Sequence, residues 1–202
     1  MTIKKVLEIG VYKGHSMLLW NSYFENADIY GIDIDLQQKH LGKTPIDICK
    51  GKQRIKLKEF NACDKKELEK VKKEGWFGKE KFDLIIDDGS HDPVHQAQAL
   101  NMYLPMLKES GTYIVEDVID RSTKLNLLAL DRIENIFNLF ENKRYVFEQY
   151  VEEQKNELLK DYRVKVIPPY KEAIDFNDIN LEGNNTTTQG TNQYKLIIID
   201  KI

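Results

Sequence analysis

The chain has 202 residues, of which 41% are hydrophobic and 31% are charged, and its formal net charge is −3. This length fits one domain over residues 1–202 with a sizeable core, and the lack of a basic excess disfavours nucleic acid as the main ligand. The sequence shows no transmembrane run, no signal-peptide pattern and no metal-ligand spacing at its two cysteines. We therefore expect a cytoplasmic protein without a membrane partner, a disulfide framework or a zinc site.

Short β-branched runs alternate with helical stretches through the first half of the chain. The predicted strands are Val6–Ile9, Asp28–Ile34, Arg54–Phe60, Phe82–Ile86 and Thr112–Val115. The predicted helices are Ser16–Phe24, Lys65–Lys73 and Pro93–Lys108, and Asp92 is positioned to cap the last of these. This alternation predicts an α/β fold with a mostly parallel sheet and helices on both faces, in which ligands bind at the carboxyl ends of the strands.

The second half of the chain has a less regular pattern. Apolar residues at helical spacing predict a helix over Asn126–Phe140. The remaining predicted elements are a strand over Arg144–Tyr150, a helix over Val151–Lys160, a strand over Arg163–Ile167 and a final Ile-rich strand over Tyr194–Asp200. The polar stretch Asn180–Gln193 has the composition of a flexible loop.

An acid stands at the end of the first predicted strand, and two glycines follow it. Glu8 ends the strand, and Gly10 and Gly14 stand four residues apart. The pattern differs from the dinucleotide fingerprint, since Tyr12 occupies its middle position and Glu8 adds negative charge where a pyrophosphate would sit. An acid suits a cofactor with cationic groups, and S-adenosylmethionine carries both a sulfonium and an ammonium.

Two further acids follow the second and third predicted strands. Asp33 is placed to accept hydrogen bonds from ribose hydroxyls, and Asp64 is placed to contact an adenine rim. Any one of these motifs could simply end a strand, but three in order at strand ends favour a nucleoside cofactor pocket. The predicted cofactor residues are Glu8, Gly10, Tyr12, Gly14, Ser16, Asp33, Ala62, Cys63, Asp64 and Asp87.

Carboxylates also cluster after the fourth and fifth predicted strands. Asp87 and Asp88 precede Gly89-Ser90-His91, and Glu116 stands beside Asp117. Because adjacent parallel strands lie roughly 5 Å apart, their ends bring these acids together. Apposed carboxylates repel unless a proton or a cation bridges them, which favours a hard divalent ion such as Mg²⁺. An alcohol bound to such an ion is more acidic, and a nearby histidine can take its proton.

The three cofactor motifs resemble the signature of class I S-adenosylmethionine-dependent methyltransferases over residues 3 to about 118 and again over Tyr194–Asp200. The segments 82–91 and 114–117 are similar to those of the metal-dependent macrolide-sugar O-methyltransferases and, more distantly, the cephalosporin-hydroxylase-type methyltransferases. This resemblance implies a Rossmann-like fold with a seven-stranded sheet, and a sugar or secondary-metabolite hydroxyl as acceptor. It also implies Asp88, Glu116 and Asp117 as Mg²⁺ ligands, with Asp88 and His91 in the catalytic centre and His91 as general base. Such relatives often assemble, which allows a homo-oligomer.

Three alternatives stay open at this point. The carboxylates could serve only as polar contacts in a metal-independent methyltransferase, and EDTA would then leave its activity intact. The chain could instead be a catalytically silent cofactor-binding subunit of a larger assembly. A protein that binds a nucleotide sugar or NAD is a weaker option, since Glu8 and the missing G-x-G-x-x-G pattern speak against it.

Overall fold

The computed structural model describes residues 2–119, 151, 154, 157–167 and 194–201. The strands in this part of the chain are β1 (Lys5–Ile9), β2 (Asp28–Asp33), β3 (Ile55–Glu59), β4 (Phe82–Asp87), β5 (Leu107–Ile119), β6 (Tyr162–Ile167) and β7 (Tyr194–Lys201). The helices are α1 (His15–Tyr23), α2 (Pro45–Cys49), α3 (Lys65–Lys73) and α4 (Pro93–Tyr103), and a 3₁₀ turn follows at Leu104–Met106.

The strands form one seven-stranded sheet in the order β3-β2-β1-β4-β5-β7-β6. The first five strands in this order pair in parallel, whereas β7 pairs antiparallel with both β5 and β6. The prediction of a mostly parallel sheet is therefore confirmed. The strand order reverses between β1 and β4, and ligands of open α/β sheets bind at such a point.

Helices cover both faces of the sheet, as predicted. On one face, Leu7 of β1 and Ile85 of β4 belong to a core that includes Leu68 of α3 and Leu100 of α4. On the other face, Val6, Ile29 and Ile86 belong to a second core. The helical and loop residues of that second core include Met17, Leu36 and Cys49. Alternate residues of β1 and β4 therefore enter opposite cores, which fixes the register of these buried strands.

Capping residues start three of the helices. The Asp92 carboxylate accepts a hydrogen bond from the Val94 amide at 2.9 Å, as the sequence predicts for the start of α4. Helix α3 matches its predicted bounds. Helix α2 was not predicted, although Thr44 and Asp47 form a capping box and Pro45 stands in the first turn.

The end of α4 differs from the prediction. The helix ends at Tyr103 instead of Lys108, because Pro105 has no N–H to donate to a carbonyl one turn earlier. Strand β5 then begins at Leu107, well before the predicted start at Thr112. The sequence did not predict strand structure before Thr112, because this segment is polar and contains Gly111.

The last third of the chain is described in part. Strands β6 and β7 confirm the two predicted strands there. Within the helix predicted over 151–160, Val151 is helical, whereas residues 157–160 form turns. The predicted elements over 126–140, 144–150 and 180–193 lie outside the described residues.

Among the helices that the structure describes, none is long and apolar enough to cross a membrane.

Candidate active site

A cleft of about 510 Å³ lies at the carboxyl ends of β1, β2 and β4, where the strand order reverses. Its lining includes these predicted cofactor residues: Gly10, Tyr12, Asp33, Ala62, Cys63 and Asp87. Both predicted catalytic residues, Asp88 and His91, also line it. The structure thus brings together in one cleft residues that the sequence places after four different strands.

Gly10 joins the loop after β1 to the loop after β4. Its φ is 92°, and a Cβ built on it would lie 2.6 Å from the carbonyl carbon of Asp88 and closer still to the carbonyl oxygen. The Asp88 amide in turn donates to the Ile9 carbonyl at 2.9 Å. Both the backbone conformation and the space therefore require glycine at this position.

Asp33 organises the loop that follows β1. Its Oδ2 accepts hydrogen bonds from the Val11 and Tyr12 amides at 2.8 Å each, and its Oδ1 accepts one from the Asp35 amide at 3.0 Å. These bonds hold Tyr12 at a positive φ of 48°. A carboxylate has about four acceptor positions, so about one remains for a ligand hydroxyl, such as the ribose hydroxyl predicted to bind there.

Glu8 lies behind the cleft instead of in its lining. The side chain is only 1% exposed and lies beside Ser16 and Trp20 of α1. Burial raises the pKa of Glu8 to about 8, although Ser16 and Trp20 oppose the shift. Its Oε2 is buried without a hydrogen-bond partner among the described residues. Such a carboxyl group suits a neighbouring cationic ligand, which would supply the missing compensation.

Two other predicted cofactor residues have structural roles at helix starts. Asp64 caps α3, because its Oδ1 accepts from the Lys66 amide at 2.7 Å and from the Glu67 amide at 3.3 Å. Gly14 is the N-cap of α1 in the left-handed conformation. Neither residue is part of the cleft lining, whereas Ala62 and Cys63, which precede Asp64 in the sequence, are.

Asp88, His91 and Asp117 form an acidic cluster at the edge of the cleft. Each offers one ligand atom, and these atoms lie within 4.8 Å of one another. His91 Nε2 is 3.9 Å from Asp88 Oδ1 and 3.8 Å from Asp117 Oδ2. Burial, together with the nearby Asp117, raises the pKa of Asp88 to about 6. A divalent cation would relieve this repulsion, so the donor set fits a hard metal ion.

The backbone is strained at two members of this cluster. His91 has a φ of 55° and Asp117 a φ of 47°, which is an uncommon conformation for residues other than glycine. Asp117 also lies within an irregularity of the β5–β7 pairing between Val115 and Val118. Such strain persists where the surrounding structure enforces it, which is typical of functional sites.

Glu116 lies next to this cluster but its carboxylate is not one of the three grouped side chains. Burial, with Asp88 and Asp117 nearby, raises its pKa. Its backbone carbonyl accepts a hydrogen bond from the Gln96 side chain at 3.1 Å. The structure thus groups two of the three predicted metal ligands with the predicted base.

Asp87 lies at the floor of the cleft and is buried. Its carboxylate accepts long hydrogen bonds from the Gly89 amide at 3.3 Å and from the Tyr113 hydroxyl at 3.4 Å. Burial raises its pKa to about 7. This buried carboxyl group faces the α4 side of the sheet, since Tyr113 belongs to the core on that side.

The sequence prediction missed several lining residues. These are Ile9, Ile32, Ile34, Gln38, Asn61, Gly89, Ser90, His95 and Gln96. Among them, Ser90 Oγ and His95 Nδ1 lie at hydrogen-bond distance, 2.7 Å, and Gln96 is almost fully buried. For His95 and Gln96 the available signal was their position in the first turn of α4, because the first turn of a helix that follows a strand end faces the ligand crevice.

Comparison with known proteins identifies similar sequences. Residues 7–118 match the family described as "Methyltransferase domain". The chain is 32% identical over 121 residues to mycinamicin VI 2''-O-methyltransferase of Micromonospora griseorubida. The match covers 56% of this chain and 27% of that protein, so it spans little more than a quarter of the relative's length.

Solved structures share the fold. The MycE methyltransferase of the mycinamycin biosynthetic pathway, in complex with Mg and SAH, aligns over 100% of this chain and 45% of its own, with 19% identity and a TM-score of 0.54. Geranyl diphosphate C-methyltransferase of Streptomyces coelicolor A3(2) aligns over 98% of this chain and 71% of its own, with 13% identity and a TM-score of 0.59. The predicted Rossmann-like class I methyltransferase fold is confirmed.

Proposed function

This chain belongs to the methyltransferase-domain family, and we propose that it is an S-adenosylmethionine-dependent O-methyltransferase assisted by Mg²⁺ or a similar divalent cation. Its acceptor is a hydroxyl group of a sugar or another small molecule. The observation that carries this proposal is the direct contact between Gly10 and Asp88, which sets the acidic cluster at the edge of the cofactor cleft.

The residues of the cleft fit S-adenosylmethionine. Asp33 retains about one acceptor position for a ribose hydroxyl, and Ala62 and Cys63 line the side where the adenine is expected. Behind the cleft, the Glu8 carboxyl group has a buried oxygen without a partner among the described residues. A ligand with a sulfonium and an ammonium suits this acidic surround, whereas a pyrophosphate does not.

The residues of the acidic cluster fit a divalent cation. Asp88 and Asp117 would supply carboxylate oxygens, the ligands that Mg²⁺ prefers. Glu116 is proposed as a third ligand from the resemblance, and its position next to Asp117 supports this. A metal with so few protein ligands keeps positions for water and substrate oxygens.

In this proposal the chain aligns the methyl donor with the acceptor hydroxyl and removes the proton of that hydroxyl. When bound, S-adenosylmethionine supplies an activated methyl group and the cation supplies positive charge that favours loss of the hydroxyl proton. We assign the proton to His91 Nε2, which faces Asp88 and Asp117 at 3.9 and 3.8 Å. The two carboxylates stabilise the imidazolium that results, while the methyl group passes to the acceptor oxygen and S-adenosylhomocysteine leaves.

An activity assay tests this proposal. The purified protein is incubated with methyl-labelled S-adenosylmethionine and a panel of glycosides with free hydroxyl groups, with Mg²⁺ or with EDTA. We expect label transfer that requires Mg²⁺ and is lost in Asp88→Asn. Transfer that persists in EDTA would favour the metal-independent enzyme. Binding without transfer to any acceptor would favour the silent subunit.

The wider context of the protein stays a prediction of the sequence. This holds for a cytoplasmic location, a single domain over the whole chain, a homo-oligomeric state, and the absence of nucleic acid and membrane partners. The sugar class of the acceptor is inferred from the relatives, of which mycinamicin VI 2''-O-methyltransferase is one.

A further inference from the structure

Gln96 has a polar atom that the proposed reaction does not use. The residue lies in the first turn of α4 and lines the cleft, yet its side chain is only 2% exposed. Its Nε2 donates a hydrogen bond to the Glu116 carbonyl at 3.1 Å. Its Oε1 is buried and has no hydrogen-bond partner in the described part of the chain. A buried amide oxygen that accepts no hydrogen bond is unfavourable, which indicates that a bound molecule donates the missing hydrogen bond.

The orientation of this amide is fixed by its other bond. If Oε1 and Nε2 exchanged places, Oε1 would face the Glu116 carbonyl oxygen, and two acceptors would be apposed. The amide therefore directs its acceptor, Oε1, away from Glu116, to the side where no partner is present among the described residues. The missing partner must be a donor, which excludes a phosphate, a carboxylate or a carbonyl group.

The neighbours of Gln96 indicate which donor this is. The carbonyl of His95 lies 3.7 Å from Cys63 Sγ, so the first turn of α4 contacts the loop after β3. Asp33 stands on the other side of the cleft, at the end of β2, where a ribose is expected. Of the donors in S-adenosylmethionine, the ribose hydroxyls belong near Asp33, and the ammonium belongs on the side of the cleft nearest the buried carboxyl group of Glu8. The 6-amino group of adenine belongs near Ala62 and Cys63.

We propose that Gln96 recognises the 6-amino group of adenine in the methyl donor, through Oε1, and so selects a 6-aminopurine over a 6-oxopurine. The inference rests on the proposed function, because it assigns a residue to the cofactor of that reaction. A hypoxanthine ring would present its 6-oxo oxygen to Oε1, and the site would lose a hydrogen bond and gain a repulsion. The same amide holds the carbonyl of Glu116 beside Asp117, so base recognition and the acidic cluster share one side chain.

Calorimetric titration with two non-reactive ligands tests the proposal. S-adenosylhomocysteine and S-inosylhomocysteine differ at position 6 of the purine, and both are titrated into the wild type, Gln96→Met and Gln98→Met. Gln98 is the matched control, because it is a buried glutamine of α4 that is not in the cleft lining. We expect the wild type and Gln98→Met to bind the adenosyl ligand about 10-fold more tightly or better, and Gln96→Met to bind both ligands within about twofold.

A second variant covers the case in which Gln96→Met does not fold. Gln96→Glu keeps an acceptor at the cleft but loses the donor to Glu116, so we expect it to retain the preference for the adenosyl ligand. An equal affinity of the wild type for both ligands would overturn the proposal, as would an unchanged preference in folded Gln96→Met. If the folded wild type binds neither ligand, the proposed function itself fails, which separates the two outcomes.

Discussion

Gly10 and Asp88 meet through their backbones, so that the loop after β1, which we propose to bind the cofactor, and the loop after β4, which carries Asp88 and His91 of the acidic cluster, support each other. A Cβ at position 10 would lie 2.6 Å from the Asp88 carbonyl carbon. The Asp88 amide bonds to the carbonyl of the residue before Gly10. Alignment of a methyl donor with a cation-assisted hydroxyl needs such a rigid junction, since small displacements of reacting groups are costly.

A substitution at this junction should damage both sites at once. In Gly10→Ala, the new methyl group must displace the Asp88 segment, and the residue must also keep a φ of 92°. We expect a loss of about 2 kcal/mol or more in the free energy of unfolding, and weaker binding of both S-adenosylmethionine and Mg²⁺. Chemical denaturation and calorimetry measure these effects.

Gly42→Ala is the matched control for this experiment. Gly42 has a similar φ of 79°, but a Cβ there would meet no atom within 4 Å. The control therefore carries the conformational cost without the collision, and we expect it to bind both ligands normally. Equal effects of the two substitutions would argue against the backbone contact as the cause.

Removal of one carboxylate charge should weaken the metal site. In Asp88→Asn and in Asp117→Asn, an anionic ligand becomes a neutral amide, and we expect Mg²⁺ affinity to fall about 10-fold to 100-fold. Asp35→Asn removes the same charge from an exposed residue outside the cluster and should change the affinity little. Titration of the Glu116→Gln variant decides whether the sequence prediction of this third ligand is correct.

Substitution of His91 should distinguish a role in proton transfer from a role in metal binding. If His91 is the general base, His91→Gln lowers kcat about 10²-fold to 10⁴-fold and leaves the Mg²⁺ affinity nearly unchanged. His95→Gln is the control, since His95 also lines the cleft but its Nδ1 is paired with the Ser90 hydroxyl. A parallel collapse of Mg²⁺ affinity in His91→Gln would instead identify Nε2 as a metal ligand.

Glu8 should make stability depend on pH in a defined direction. Its pKa is raised from 4.5 to about 8 in the folded protein, so the folded state holds a proton that the unfolded chain releases. Stability from this group therefore falls as pH rises from about 4.5 to about 8, by up to about 1.4 kcal/mol per pH unit.

The Glu8→Gln variant lacks this contribution. We expect urea denaturation between pH 5 and pH 8 to show a smaller loss of stability in the variant than in the wild type. Other titrating groups such as Asp87 are present in both proteins and largely cancel in the difference. Stability curves that run parallel over this range would show that Glu8 is ionised in the folded state.

The sequence predicted local structure better than it predicted what each side chain contacts. A Lys- and Glu-rich composition predicted α3 with its observed bounds, and the capping residues Asp92 and Pro93 predicted the start of α4 correctly. The sequence pattern did not reveal that Pro105 ends α4 early, because the surrounding residues continue a helical pattern. The order of strand-end motifs was sufficient to predict the fold and the position of the cleft.

Side-chain roles depend on contacts that a sequence does not display. Asp33 was predicted to bind ribose, but three backbone amides occupy most of its acceptor positions. The irregularity in β5 and the left-handed conformation of Asp117 set which acids meet at the strand ends, and regular alternation along a strand predicts neither. Gln96 was not predicted as a site residue, because the sequence does not show that its Oε1 is buried without a partner among the described residues.

Calorimetric titration of the wild type with S-adenosylmethionine, first in EDTA and then with Mg²⁺, tests the central claim most directly. We predict saturable binding of one S-adenosylmethionine per chain in EDTA, and a separate Mg²⁺ site that Asp88→Asn removes. A folded sample that binds neither S-adenosylmethionine nor S-adenosylhomocysteine would contradict the account.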